Sequence, residues 1–81
     1  MTHTVLFFAQ ARDHAGVSAS ALELPAGSRV ADALAAIRAA HPALDPLLGH
    51  LAVAVNGELV SRDASIPAGA ELALLPPVSG G

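Results

Sequence analysis

The sequence predicts an α+β fold: a sheet of four to five strands with one main helix on one face. Three observations carry this. Two short β-prone runs, at residues 4–9 and 18–24, come first. One amphipathic helical stretch then follows, with apolar side chains at Val30, Ala33, Leu34, Ile37 and Ala40. Three further strand-like runs, at residues 51–55, 58–60 and 71–75, close the pattern. The chain has 81 residues, enough for one domain. Its hydrophobic fraction is 53%, but much of that is alanine, so Leu, Ile, Val and two Phe must supply most of the core.

Taken in order, residues 4–9 are apolar and β-prone, with Val5 and Phe7 alternating against Leu6 and Phe8. Apolar residues on both faces indicate a central strand, or one whose second face meets a partner. Residues 10–16 read as a connecting turn with some helix, and residues 18–24 as an antiparallel return strand. Pro25-Ala26-Gly27 ends it. Ser28 or Arg29 sits at the helix start, Ser28 being the better cap because its hydroxyl can accept a free backbone N–H, and Asp32 suits the positive end of the helix dipole. Pro42 ends the helix by forcing His41 out of the α region. Residues 43–49, with Leu44, Leu47 and Leu48 around Asp45-Pro46, predict a short second helix or turn. Asn56-Gly57 predicts a tight hairpin, since both residues tolerate positive φ. Residues 62–70 form a loop carrying Ile66, and the strand at residues 71–75 ends where Pro76 begins.

The last six residues, Pro76-Pro77-Val78-Ser79-Gly80-Gly81, read as something the domain holds out. The two prolines lack amide donors and favour a stiff, extended conformation. Six extended residues reach roughly 20 Å, at about 3.3–3.6 Å each. Side chains shrink from Val78 through Ser79 to two glycines, which suits a narrow tunnel in another protein. Gly81 offers a carbonyl with no Cβ to hinder attack, and Gly80 can take backbone angles closed to other residues.

Leu74-Leu75-Pro76-Pro77-Val78-Ser79-Gly80-Gly81 resembles the C-terminus of the small subunits of molybdopterin synthase, a family of ubiquitin-like sulfur carriers. Residues Val5 to Arg12 resemble that family's first strand and following turn, and Val30-Ala31-Asp32-Ala33-Leu34 and Val53-Ala54-Val55-Asn56-Gly57 also match in order. The Pro-Pro-Val-Ser-Gly-Gly ending is the most specific part. The family often has aromatic residues where this chain has Leu74 and Leu75. The resemblance implies a β-grasp domain over residues 1–75 and an extended tail over 76–81, with the first and last strands parallel neighbours in mid-sheet. It implies that an ATP-dependent enzyme adenylates Gly81 and that a sulfur donor then converts it to a thiocarboxylate. The tail would enter the large subunit of a heterotetrameric synthase and pass sulfur to cyclic pyranopterin monophosphate. No bound cofactor is expected, and the catalytic groups would lie on the large subunit. The expected partner-binding residues are Phe8, Leu74 and Leu75, as an apolar docking patch, with Pro76, Pro77, Val78, Ser79 and Gly80 in the tail. Arg12 resembles a recurring arginine, serving either a partner or the turn. Two alternatives share the Gly-Gly: a carrier for another pathway, such as thiamine thiazole synthesis, and a ubiquitin-like modifier joined to lysines.

The remaining residues narrow the field. The chain has no cysteine, so disulfides and thiolate metal sites are excluded. It has no lysine and no Gly-rich phosphate loop, so ATP activation must come from outside. Net charge is −3, and the basic residues Arg12, Arg29, Arg38 and Arg62 are scattered, which argues against nucleic acid. His3, His14, His41 and His50 show no paired ligand spacing and read as scattered surface residues. Asp13 and His14 read as a polar turn. No run has the length to span a bilayer and the first residues lack signal-peptide character, so a cytoplasmic protein is expected.

Overall fold

The computed structural model describes residues 1–76; the expected tail residues Pro77, Val78, Ser79, Gly80 and Gly81 lie outside the described residues. Five strands form one mixed sheet: β1 (Thr2–Phe7), β2 (Ala19–Glu23), β3 (Ala52–Val55), β4 (Glu58–Val60) and β5 (Glu71–Leu75). Their spatial order is β2-β1-β5-β3-β4, with β1 and β5 parallel and the other pairings antiparallel. The last strand therefore lies at the centre of the sheet, beside the first. Helices α1 (Ala9–Ala15), α2 (Val30–Ala40) and α3 (Asp45–Leu48), with a 3₁₀ turn at Pro42–Leu44, supply the rest. This is a β-grasp fold, with the main helix α2 joined on its side of the sheet by shorter helical pieces.

One core lies between that sheet face and the helices. Val5 and Phe7 from β1, Leu72 and Leu74 from β5, and Val53 and Val55 from β3 meet Val30, Ala33, Leu34 and Ile37 of α2. Ala11 of α1, Leu44 of the 3₁₀ turn and Leu48 of α3 close the ends, and Ile66 anchors the 61–70 loop to the same cluster. The stripe expected on α2 is thus the buried one, except that Ala40 is exposed at its last turn.

Several local expectations are corrected. The first strand runs from Thr2 to Phe7, because the chain turns sharply at Ala9, whose φ of 49° lies in the left-handed region. Residues 9–15 form a helix, and Gly16 ends it with φ of 79°, its N–H bonding the Arg12 carbonyl at 2.9 Å. Ser28 does not cap α2. Its hydroxyl donates to the Pro25 carbonyl at 2.7 Å, Arg29 takes the cap position, and the Asp32 carboxylate accepts the Arg29 N–H at 2.9 Å. The first-turn N–H groups of Val30 and Ala31 bond the carbonyls of Ala64 and Arg62, at 3.0 and 2.9 Å. A distant loop therefore satisfies donors that a local cap would otherwise take.

The histidines are not all at the surface. His3 is buried on the inner face of β1, where Nδ1 lies 3.0 Å from the Ala70 carbonyl and so donates to it. His41 is half-buried, edge-on to Phe7 with ring centroids 5.3 Å apart. Only His14 and His50 are exposed.

Two predictions follow from this packing. Ile37 is 2% exposed at the centre of the α2 face, so Ile37→Ala should lose about 2–5 kcal/mol in urea denaturation. At the β1–β2 edge, the Thr2 hydroxyl and then the terminal ammonium bond the Glu23 carboxylate and hold it below the usual carboxylate range. A carboxylate depressed on folding adds stability at higher pH that is lost as pH falls through its folded value. Thermal melts of Glu23→Gln should therefore lose part of the acid-side decline seen in the parent chain.

Candidate functional site

The sheet's centre fixes where the tail must leave. Phe7 pairs with Leu74 in the parallel ladder, and the Phe8 N–H extends it by bonding the Leu74 carbonyl at 3.2 Å. On the other side of β5, Val53 lies opposite Leu74 and Ala52 opposite Leu75. Leu75 is thus held by a neighbouring strand up to the last position before Pro76. Pro76 follows, exposed and outside the ladder, as a residue without an N–H must be when a strand ends. Pro77, Val78, Ser79, Gly80 and Gly81 lie beyond the described residues.

Alternation then sorts the tail root into two faces. Leu74 points into the core and is fully buried, so the expected patch of Phe8, Leu74 and Leu75 is corrected at Leu74. Phe8 and Leu75 point to the opposite face, Phe8 being 43% exposed and Leu75 half-buried. Leu6, Ala73, Ala52, Ala54 and Leu59 share that face by register. None of the described helices covers it, since their buried side chains all belong to the core on the other side.

The uncovered face has a polarity gradient. At the tail end it carries Leu6, Phe8, Leu75, Ala52 and Leu59, the last 62% exposed. At the opposite end it carries Thr2, Thr4, Glu23 and Glu71. A contiguous apolar surface of this kind, beside the end of β5, is what a docking site for another protein requires. Sequence reasoning missed Ala52, Ala54, Leu59 and Ala73. The alternation Ala52-Val53-Ala54-Val55 was the available signal, because Val53 and Val55 facing inward leave the alanines outward.

Other expected features separate from this site. Arg12 is exposed on α1; its carbonyl ends that helix and its side chain reaches solvent. Arg62 donates from one guanidinium nitrogen to the Leu48 and Leu51 carbonyls, at 2.6 and 3.3 Å. It borders a shallow hollow of about 250 Å³ against α2. Those bonds tie the loop to the start of β3, which is a structural role on the helix side. Among the described residues, no cluster of three His, Cys, Asp or Glu could hold a metal ion, and no helix is long and apolar enough to cross a membrane.

The match to a family model settles the lineage, running from residue 5 through the final Gly81. The chain belongs to the ThiS family. The molybdopterin synthase sulfur carrier subunit of Chlamydomonas reinhardtii is 43% identical over 79 residues, covering 95% of each chain. Small archaeal modifier protein 1 of Haloferax volcanii is 39% identical, over 91% of this chain and 94% of its own. A crystal structure of that modifier superposes with a TM-score of 0.85, covering all of both chains at 37% identity. Subunits 1 and 2 of the molybdopterin-converting factor of Helicobacter pylori form a protein–protein complex; the chain matched there has a TM-score of 0.68 and 27% identity, with full coverage of both. The resemblance read from the sequence and the β-grasp fold it implied are both borne out.

Leu74 and Phe8, on opposite faces of the sheet beside the tail root, should behave oppositely. Leu74→Ala should lose about 2–5 kcal/mol of stability in a denaturant melt, as a fully buried side chain does. Phe8→Ala should change it by about 1 kcal/mol or less, since its ring lies largely outside the core.

Proposed function

We propose that this chain is the sulfur carrier subunit of a molybdopterin synthase. The observation that carries this is the 43% identity to a sulfur carrier subunit across nearly the whole of both chains, together with a family match that includes Gly80 and Gly81. In this reading the Gly81 carboxylate attacks the α-phosphate of ATP on a separate activating enzyme, releasing pyrophosphate. Sulfur from a donor then displaces AMP and leaves a thiocarboxylate. The tail carries that group into the large subunit, where it is passed to cyclic pyranopterin monophosphate, and two such deliveries complete the dithiolene of molybdopterin.

The chain's own contribution is presentation. β5 is hydrogen-bonded to a strand on either side, so the tail leaves from a base held on both sides. Pro76 and Pro77 stiffen the next step, and Val78, Ser79 and Gly80 narrow towards Gly81. The apolar face beside the root, with Phe8, Leu75 and Leu59, docks the large subunit; that such subunits associate is supported by the complex of subunits 1 and 2 of the Helicobacter pylori factor. The donor, the activating enzyme, the heterotetramer and a cytoplasmic location belong to the same proposal.

A second reading is favoured by one observation, the 39% identity to a protein named as a modifier. In that case Gly81 would be joined to lysines of other proteins.

Reconstituted sulfuration of cyclic pyranopterin monophosphate tests the carrier directly. Deleting Gly81, or adding one residue after it, moves the reacting atom by about 3.3–3.6 Å, where displacement by about an ångström can already cost 100-fold. Both variants should lose sulfur transfer with an unchanged thermal melt. Transfer at the parent rate without Gly81 would overturn the carrier. Mass spectrometry after exposure to the native activating system separates the alternatives: a carrier gains the mass of sulfur for oxygen, whereas a modifier leaves Gly-Gly remnants on lysines.

A further inference from the structure

The strand registers line up one row of side chains straight across the uncovered face. Leu6 pairs with Ala73, Ala73 with Ala54, and Ala54 with Leu59. In the adjoining row towards the tail, Leu75 pairs with Ala52, and Phe8 follows one register step after the Phe7–Leu74 pair. Two alanines thus sit side by side at the middle of the face. Leu6 and Leu59 flank the alanines in that row, which Ala19 of β2 continues beyond Leu6, with Leu75 and Phe8 along one side. Neighbouring strands are about 4.8 Å apart, so Leu6 and Leu59 rise roughly 14 Å apart with only methyl groups between them.

Burial shows that this arrangement is a depression. Ala54 is 5% exposed, although no described helix covers its face and it takes no part in the core cluster on the other side. Its methyl is shaded by larger neighbours on the open side. Leu59, next to it in the row, is 62% exposed and so stands proud as a wall.

We infer that this depression is a socket for one bulky apolar side chain, aromatic or leucine, presented by the large subunit. The inference rests on the proposed function, which supplies that partner. The chemistry follows from the lining. The row holds no charged or hydrogen-bonding side chain, and the backbone groups of β5 beneath it are used in ladders on both sides. A polar group pressed onto these methyls would lose its water and gain no partner. An apolar knob loses nothing and is enclosed on several sides, the setting in which a few central residues carry most interface energy. The occupant follows from position: the socket lies two residues up β5 from Leu75, roughly 7 Å from the tail root. A protein that receives the tail beyond Pro76 meets it.

Calorimetric titration of the full chain with the large subunit from the same organism tests the socket. Ala73→Leu fills it and should weaken binding at least tenfold, with the circular dichroism and melting curve unchanged. Ala73→Val, with a side chain suited to a strand, should weaken it less but in the same direction, and stands in should the leucine variant misfold. Leu59→Ala removes a wall and should weaken binding several-fold. Ala21→Leu, on the same face but on edge strand β2, should leave it unchanged. Parent-level or tighter binding by both Ala73 variants, with the parent chain binding normally, overturns the socket and leaves the carrier standing. A parent chain that does not bind the large subunit overturns both. Sedimentation showing a dimer of the parent chain that Ala73→Leu dissociates makes the occupant a second copy, which also overturns the inference.

Discussion

The parallel pairing of β1 with β5 is the contact on which the rest of this molecule depends. It joins the beginning of the chain to its end, with Val5 opposite Leu72 and Phe7 opposite Leu74. A parallel pair cannot be closed by a tight turn, so everything between the two strands is the connection. That connection includes the edge strand β2, the helices and the β3–β4 hairpin. Ordering so long a stretch is unfavourable until its apolar groups are buried. The α2 stripe and the inward residues of all five strands supply that burial in one cluster. Because β5 is central, the strand that leads into the tail is paired on both sides.

The same pairing explains why the two sheet faces differ. Inward positions on β1, β3 and β5 hold Val, Leu and Phe, which fill the space beneath α2. Outward positions on β3 and β5 hold alanines, with larger apolar groups at Leu6, Phe8, Leu75 and Leu59. A face meant only for water would carry polar groups there, as it does at its other end with Thr2, Thr4, Glu23 and Glu71. The gradient points towards the tail root. In the carrier reading, docking and delivery share that end of the domain, so a partner that grips the face also receives the tip.

In the carrier reading, this division of labour accounts for what the chain lacks. It has no cysteine to own sulfur and no lysine or Gly-rich loop to handle ATP. Its described residues group no metal ligands. In that reading the domain presents the Gly81 carboxylate to other proteins, which carry out the reactions on it. Its small size fits that task, since positioning needs a rigid root and a complementary face rather than a deep pocket.

Local rules were enough for much of this. The spacing of Val30, Ala33, Leu34 and Ile37 marks α2, and Pro42 marks its end, because helical period and proline sterics act within a few residues. Asn56 and Gly57 mark the hairpin because both adopt positive φ, 51° and 84°. The composition of the last six residues identified the tail and, through it, the family. What tertiary structure alone decided were facts that join distant residues. Ser28 was a reasonable cap, but carbonyls from residues 62 and 64 reach the first turn of α2. His3 is inside because the Ala70 carbonyl, 67 residues away, receives its N–H. Leu74 and Leu75 are the same residue type side by side. Alternation requires that they face opposite ways, and the local pattern Glu71-Leu72-Ala73-Leu74 points Leu74 inward, but only the pairing of β5 between β1 and β3 places that face against the helices and leaves Leu75 on the open one.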